Sequence, residues 1–184
     1  MERAALVLRN MLHTNRPHAS WLQAFLQEVV AQGVTTKLLQ PLIQRMDVWP
    51  LEEGRLGAAA IHHQTGLLLA VRDIIQGCTQ AQREAIDAGC IPLLAEILVQ
   101  GQQRGAELVQ EGGADDLEGI DGLLEAVALA SWDLANSEHQ DARQRLQENG
   151  MPAQLSTLRD AWMLGENSRA RAAAHGALRC ISRT

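Results

Sequence analysis

The sequence predicts an all-α protein, and three observations carry that prediction. Aromatic residues, which sheets favour, are scarce: four Trp, one Phe and no Tyr in 184 residues, against an abundance of Ala, Leu and Gln. That bias suits helices packed through small contacts. Apolar residues recur three and four apart, the spacing of one helix face. Finally, a helix-like run that stops at glycine, with a proline opening the next helix, occurs at "AIDAGCIPLLAEIL" (85–98) and again at "RLQENGMPAQLSTL" (145–158).

The elements follow in order. Residues 2–13 read as a helix with Ala5, Leu8, Met11 and Leu12 on one side, broken by "TNRP" (14–17). A second helix runs through "HASWLQAFLQEVVAQ" and ends at Gly33, a C-cap glycine. "TTKLLQPLIQRMD" (35–47) is capped by Thr35 or Thr36 and bent at Pro41, and "VWPLEEG" is a linker. "RLGAAAIHHQTGLLLAVRDIIQG" (55–77) is one helix or two, with Gly66 the weak point. "TQAQREAIDAG" (79–89) is a short helix capped by Thr79. "IPLLAEILVQ" (91–100) follows, with Pro92 in its first turn.

Residues 101–122 look different. They are rich in glycine and carry one Arg against six Asp or Glu, a net of −5, nearly all of the chain's −6. The segment reads as an acidic loop or inserted excursion, with at most a short helix at 103–111. Helices resume at 123–137, at 139–149 up to Gly150, at 151–164, and at 166–184 with Asn167 or Ser168 as cap.

Composition limits the function classes. Hydrophobic content of 46% is too high for a disordered acidic chain. The net charge of −6 gives no reason to expect a nucleic-acid partner. No apolar run reaches the ~20 residues needed to span a bilayer. The basic, amphipathic N-terminus has the look of a transit peptide, but it carries Glu2 and lacks the Ser-rich character. Cys78, Cys90 and Cys180 form no CxxC and read as free packing thiols in a reducing, cytoplasmic setting. His62 and His63 point ~100° apart on a helix, a poor arrangement for one metal. The acidic run lacks the ligand order of a calcium loop. There is no phosphate-binding glycine loop and no nucleophile elbow. No cofactor, metal or catalytic residue is expected.

The chain repeats itself. After each helix–glycine–helix copy comes a second signature: "AVRDII" (70–75), "WDLANS" (132–137) and "ALRCIS" (177–182), with "LVLRNML" (6–12) before them. Anchored on Leu8, Val71, Leu134 and Leu178, the spacings are 63, 63 and 44 residues. The last lies near the ~40–47 of armadillo and HEAT repeats. The pattern resembles the armadillo repeat family: a short first helix, a glycine and often an apolar-Pro pair, a second helix, then a longer third helix. The resemblance covers a leading helix at 1–14 and units at 15–77, 78–137 and 138–184, with 101–122 as an acidic insertion. It implies a right-handed α-α superhelix in which stacked third helices build a continuous core. HEAT-like repeats are the near alternative.

The same resemblance nominates partner-binding residues. Armadillo proteins of the karyopherin-alpha type carry a WxxxN pattern on third helices, where the Asn bonds the backbone of an extended peptide and the Trp forms a pocket. "WDLAN" matches once, at Trp132 and Asn136; the aligned pairs are Leu6 and Asn10, Leu69 and Asp73, and Gly176 and Cys180. Asn10, Asp73 and Asn136 would then line one inner surface, where an exposed Asp73 would favour a basic side chain. The alternative reading makes Trp132 a core residue and pairs Arg72 with an acid. The function implied is an adaptor or structural subunit of a larger assembly that binds a protein or extended peptide. A regulatory module, such as a chaperone or GTPase exchange factor, is the alternative, and an enzyme is the remote one.

Overall fold

The computed structural model describes residues 58–76, 78–112, 114–161, 164–165 and 168–182, with 24, 27–29, 31–33, 37, 51–52 and 55–56 before them. It is all-helical apart from one minimal hairpin. That hairpin pairs β1 (Leu51–Glu52) with β2 (Arg55–Leu56), antiparallel; β1 lies in the stretch read as a linker, and β2 takes the first two residues of the stretch read as helix. The helices are α1 (Ala58–Ile75), α2 (Thr79–Asp87), α3 (Cys90–Glu111), α4 (Ala114–Ala135), α5 (Gln140–Glu148), α6 (Met151–Arg159) and α7 (Arg169–Ile181). Before them, helical backbone at 27–29 and 31 turns at Gly33, whose φ of 64° is the left-handed value expected of a C-terminal glycine.

Two glycines set the repeat. Gly89 (φ 86°) and Gly150 (φ 71°) each stop one helix and immediately start another, a conformation that costs a residue with Cβ. The structure therefore aligns the two copies on glycine, not on proline. Pro92 is the third residue of α3 and Pro152 the second of α6, and either place in the first turn leaves no backbone bond broken. Gly66 does not divide α1, which is one helix of 18 residues. Thr79 is the first residue of α2 rather than its cap, and Cys78 precedes it in extended conformation. Ser168 does cap α7, its Oγ accepting from the Arg171 amide at 3.1 Å.

The reading of 101–122 as a loop is corrected. The segment is mostly helix: α3 runs to Glu111 and ends on Gly112 at φ 76°, and α4 begins at Ala114. The physical reason is packing. Gly101, Gly105 and Leu108 continue the buried stripe of Leu94, Ile97 and Leu98 at helical spacing. They meet a stripe of Ile120, Leu123, Leu124 and Val127 on α4. Gly101 eases the approach: a Cβ there would fall 2.8 Å from Leu124 Cδ2, which would have to swing aside. Burial of this face outweighs glycine's poor helix propensity, about 1 kcal/mol per residue.

The elements stack as corresponding helices. At the third-helix level, α4 packs between α1 and α7. Its contacts with α7 advance together along both helices, Asp121 with Ser168, then Glu125 with Arg169, then Trp132 with Gly176, so the two run parallel. Gly119 against Ile61 and Asp133 against Arg72 give the same sense between α4 and α1. At the first-helix level, Arg83 of α2 bonds Asp141 of α5, and the His139 ring nitrogen bonds the Thr79 carbonyl at 2.8 Å. At the second-helix level, Gln102 of α3 donates to the Gln154 carbonyl of α6. Consecutive parallel helices require a return path, and the pairs α2–α3 and α5–α6 supply it.

Candidate functional site

The face of the third helices turned away from the core is the candidate site. On α4 the fully buried side is Ile120, Leu123, Val127, Ala130 and Leu134. Opposite it stand Glu125, Leu129 and Trp132, half-buried, and Asn136, exposed. On α1, Leu69 and Arg72 are half-buried and His62 is exposed. On α7, Ala172, His175 and Arg179 are exposed. Large apolar groups thus sit in the middle of the three-helix row with polar groups around them.

Trp132 serves packing and surface at once. A Cβ on Gly176 would lie 2.5 Å from Cζ3 and 2.7 Å from Cε3 of its indole, so the ring lies against bare backbone of α7. Gly176 is needed for that close approach, and the Trp132 side chain is left half-buried. Asn136 stands just beyond α4, its amide nitrogen bonded to the Trp132 carbonyl at 3.0 Å and its side chain in solvent. Arg143 of α5 donates to the neighbouring Ala135 carbonyl at 2.7 Å, which fixes the end of α4 where Asn136 projects.

The remaining predicted residues fare differently. Asp73 is buried, 8% exposed, so it does not present an acid to a partner. Arg72 pairs with Asp133 at 3.0 Å, the neutralising arrangement that the sequence left as the alternative. Asn10 lies outside the described residues, as do Trp21, Trp49 and Trp162. Cys180 is buried, so the aligned pair of Gly176 and Cys180 is not a surface pair.

Much of the acidic run is used inside the chain. Asp121 Oδ1 accepts from Ser168 Oγ at 2.5 Å and from the Ala170 amide, and Oδ2 accepts from the Arg169 amide. A carboxylate of α4 thus caps α7. Glu107 and Glu111 both pair with Arg104 along α3.

Burial pushes the Cys90 thiol up to about 12, which keeps it protonated and unreactive. Asp160 is held below the usual carboxylate range by its hydrogen bond and ion pair with Arg159, an exposed surface pair. Among the described residues no three His, Cys, Asp or Glu side chains converge as metal ligands, and no helix is long and apolar enough to cross a membrane.

Two members of this face, His175 and Arg179, are not among the residues that the WxxxN spacing nominates. The signal was present: Ala172, His175 and Arg179 repeat the spacing of Leu129, Trp132 and Asn136. Anchoring on Leu178, which is only half-buried, shifted the register by one from the buried Ala177. Compared with known proteins, the chain matches no family model and no curated sequence.

Proposed function

We propose that this chain is a non-enzymatic protein-binding module, an armadillo-like right-handed superhelix acting as an adaptor or as a structural subunit of a larger assembly. Its partner segment lies along the exposed face of α1, α4 and α7. The observation that carries the reading is the parallel row of third helices with Leu69, Leu129 and Trp132 half-buried along its outer face. These side chains pack on the rim of the core and leave part of their surface outward, and an amide at the edge of the strip suits main-chain recognition. An extended segment is the natural occupant, because its backbone offers both donors and acceptors to Asn136 and its side chains reach Trp132.

The test is site-specific photo-crosslinking in cells. A crosslinking residue at Asn136 is expected to capture a discrete partner. The same residue at Gln103, exposed on the outer side of α3, is expected to capture none. Capture from Gln103 alone, or from neither position, would sink the proposal.

A further inference from the structure

The surface of α7 gives the partner a charge. Its buried side is Ala170, Ala173, Ala174, Ala177, Cys180 and Ile181. The opposite side presents Ala172, His175 and Arg179 at the same spacing as Leu129, Trp132 and Asn136 on α4. His175 and Arg179 therefore take, on α7, the places that Trp132 and Asn136 take on α4. Gly176, the next residue after His175, lies under the Trp132 ring, so the two sets adjoin.

Arg179 is set apart by its lack of partners. Every other arginine with a described side chain holds a carboxylate or a carbonyl: Arg72 and Arg169 pair with Asp133 and Glu125 on α4, and Arg171 donates to the Arg159 and Gly165 carbonyls. Arg83, Arg104, Arg143, Arg145 and Arg159 are likewise engaged. Among the described residues Arg179 makes neither kind of contact, and it is exposed on the same face as Trp132 and Asn136. Two acids of α4, Glu125 and Asp133, are paired with Arg169 and Arg72. Among the described residues, one guanidinium beside the apolar strip is thus left without a carboxylate, with a His one turn away.

We infer that the segment bound on this face is an acidic peptide, with an apolar side chain against Trp132 and a carboxylate paired to Arg179. The inference rests on the proposed binding face and adds its polarity. It reverses the expectation attached to Asp73, which is buried. A planar guanidinium takes a carboxylate through two parallel hydrogen bonds, giving register as well as attraction.

The test is selection of a randomised displayed peptide library on the intact chain, followed by anisotropy titration of a selected synthetic peptide. Selected peptides are expected to carry Asp or Glu next to an apolar residue. Arg179→Glu should weaken them roughly tenfold to a hundredfold, the scale of one charge-assisted contact. Arg179→Gln should give a smaller loss. Arg145→Glu, the same charge change on the exposed side of α5, should leave affinity within about twofold. Added salt should weaken binding to the unaltered chain and not to Arg179→Glu. Neutral or basic peptides that lose affinity with Asn136→Ala but not with Arg179→Glu would overturn the acidic assignment and leave the face standing. Peptides indifferent to both changes would overturn both.

Discussion

The stretches α2–α4 and α5–α7 are built alike and sized differently. Their first helices, α2 and α5, have nine residues each. Their second helices both open after a left-handed glycine. Then they diverge: α3 has 22 residues against nine in α6, and α4 has 22 against 13 in α7. The length that breaks the period is carried as extra helical turns that pack on each other through Gly101, Leu108, Ile120 and Leu124. The lesson is that a composition typical of loops becomes helix when glycines such as Gly101 and Gly105 fall on the buried stripe and apolar side chains complete it.

The sharpest way to break that comparison is to empty the extension. Leu108 and Ile120 are buried at 2% and 0% exposure, so each →Ala change should cost about 2–4 kcal/mol in urea unfolding. A solvated arm outside the core would lose under about 0.5 kcal/mol. Near-neutral results for both would return 101–122 to the status of an appendage.

The same contrast explains what was legible in the sequence. Helical class, the glycine between first and second helices and the Ser168 cap are local signals, set by backbone sterics and hydrogen bonding within a few residues. The path of 101–122 was not local: what holds Gly101 in a helix is Leu124, a residue on another helix. The site was half legible. Trp132 and Asn136 carry a recognisable spacing, but burial of Asp73 depends on tertiary neighbours that spacing does not name. His175 and Arg179 were hidden by a one-residue register error, which on a helix turns a side chain by ~100°.

A subtler contrast lies in how each stretch uses a glycine for close approach. Ala at Gly101 would press 2.8 Å from the tip of Leu124, a flexible side chain that can swing aside. Ala at Gly176 would press on three atoms of a rigid indole at 2.5–2.9 Å. Both gain about 1 kcal/mol of helix propensity. Gly101→Ala should therefore come out near neutral, and Gly176→Ala destabilising by a net ~1–2 kcal/mol. The cycle with Trp132→Leu checks the cause, because the smaller side chain should recover most of the Gly176→Ala loss. Additive losses would mean that the indole is not the obstacle.

The smallest effect is expected where the acidic run of α2–α4 holds α7. Asp121 and Ser168 together occupy the first-turn amides of α7, at Arg169, Ala170 and Arg171. Ser168→Ala should cost about 1 kcal/mol, the usual worth of an N-cap. Asp121→Asn should cost less, because an amide oxygen still accepts while the charge facing the helix N-terminus is lost. Global unfolding would barely separate these variants from the parent, so the telling readout is amide hydrogen exchange. Protection should fall at the start of α7 and hold in α6, because the cap stabilises one helix end rather than the core. If exchange rises equally in both, Asp121 is acting on the packing of α4 and not as a cap. An acid that the composition marks as part of a solvated charge run would then have its role in the core after all.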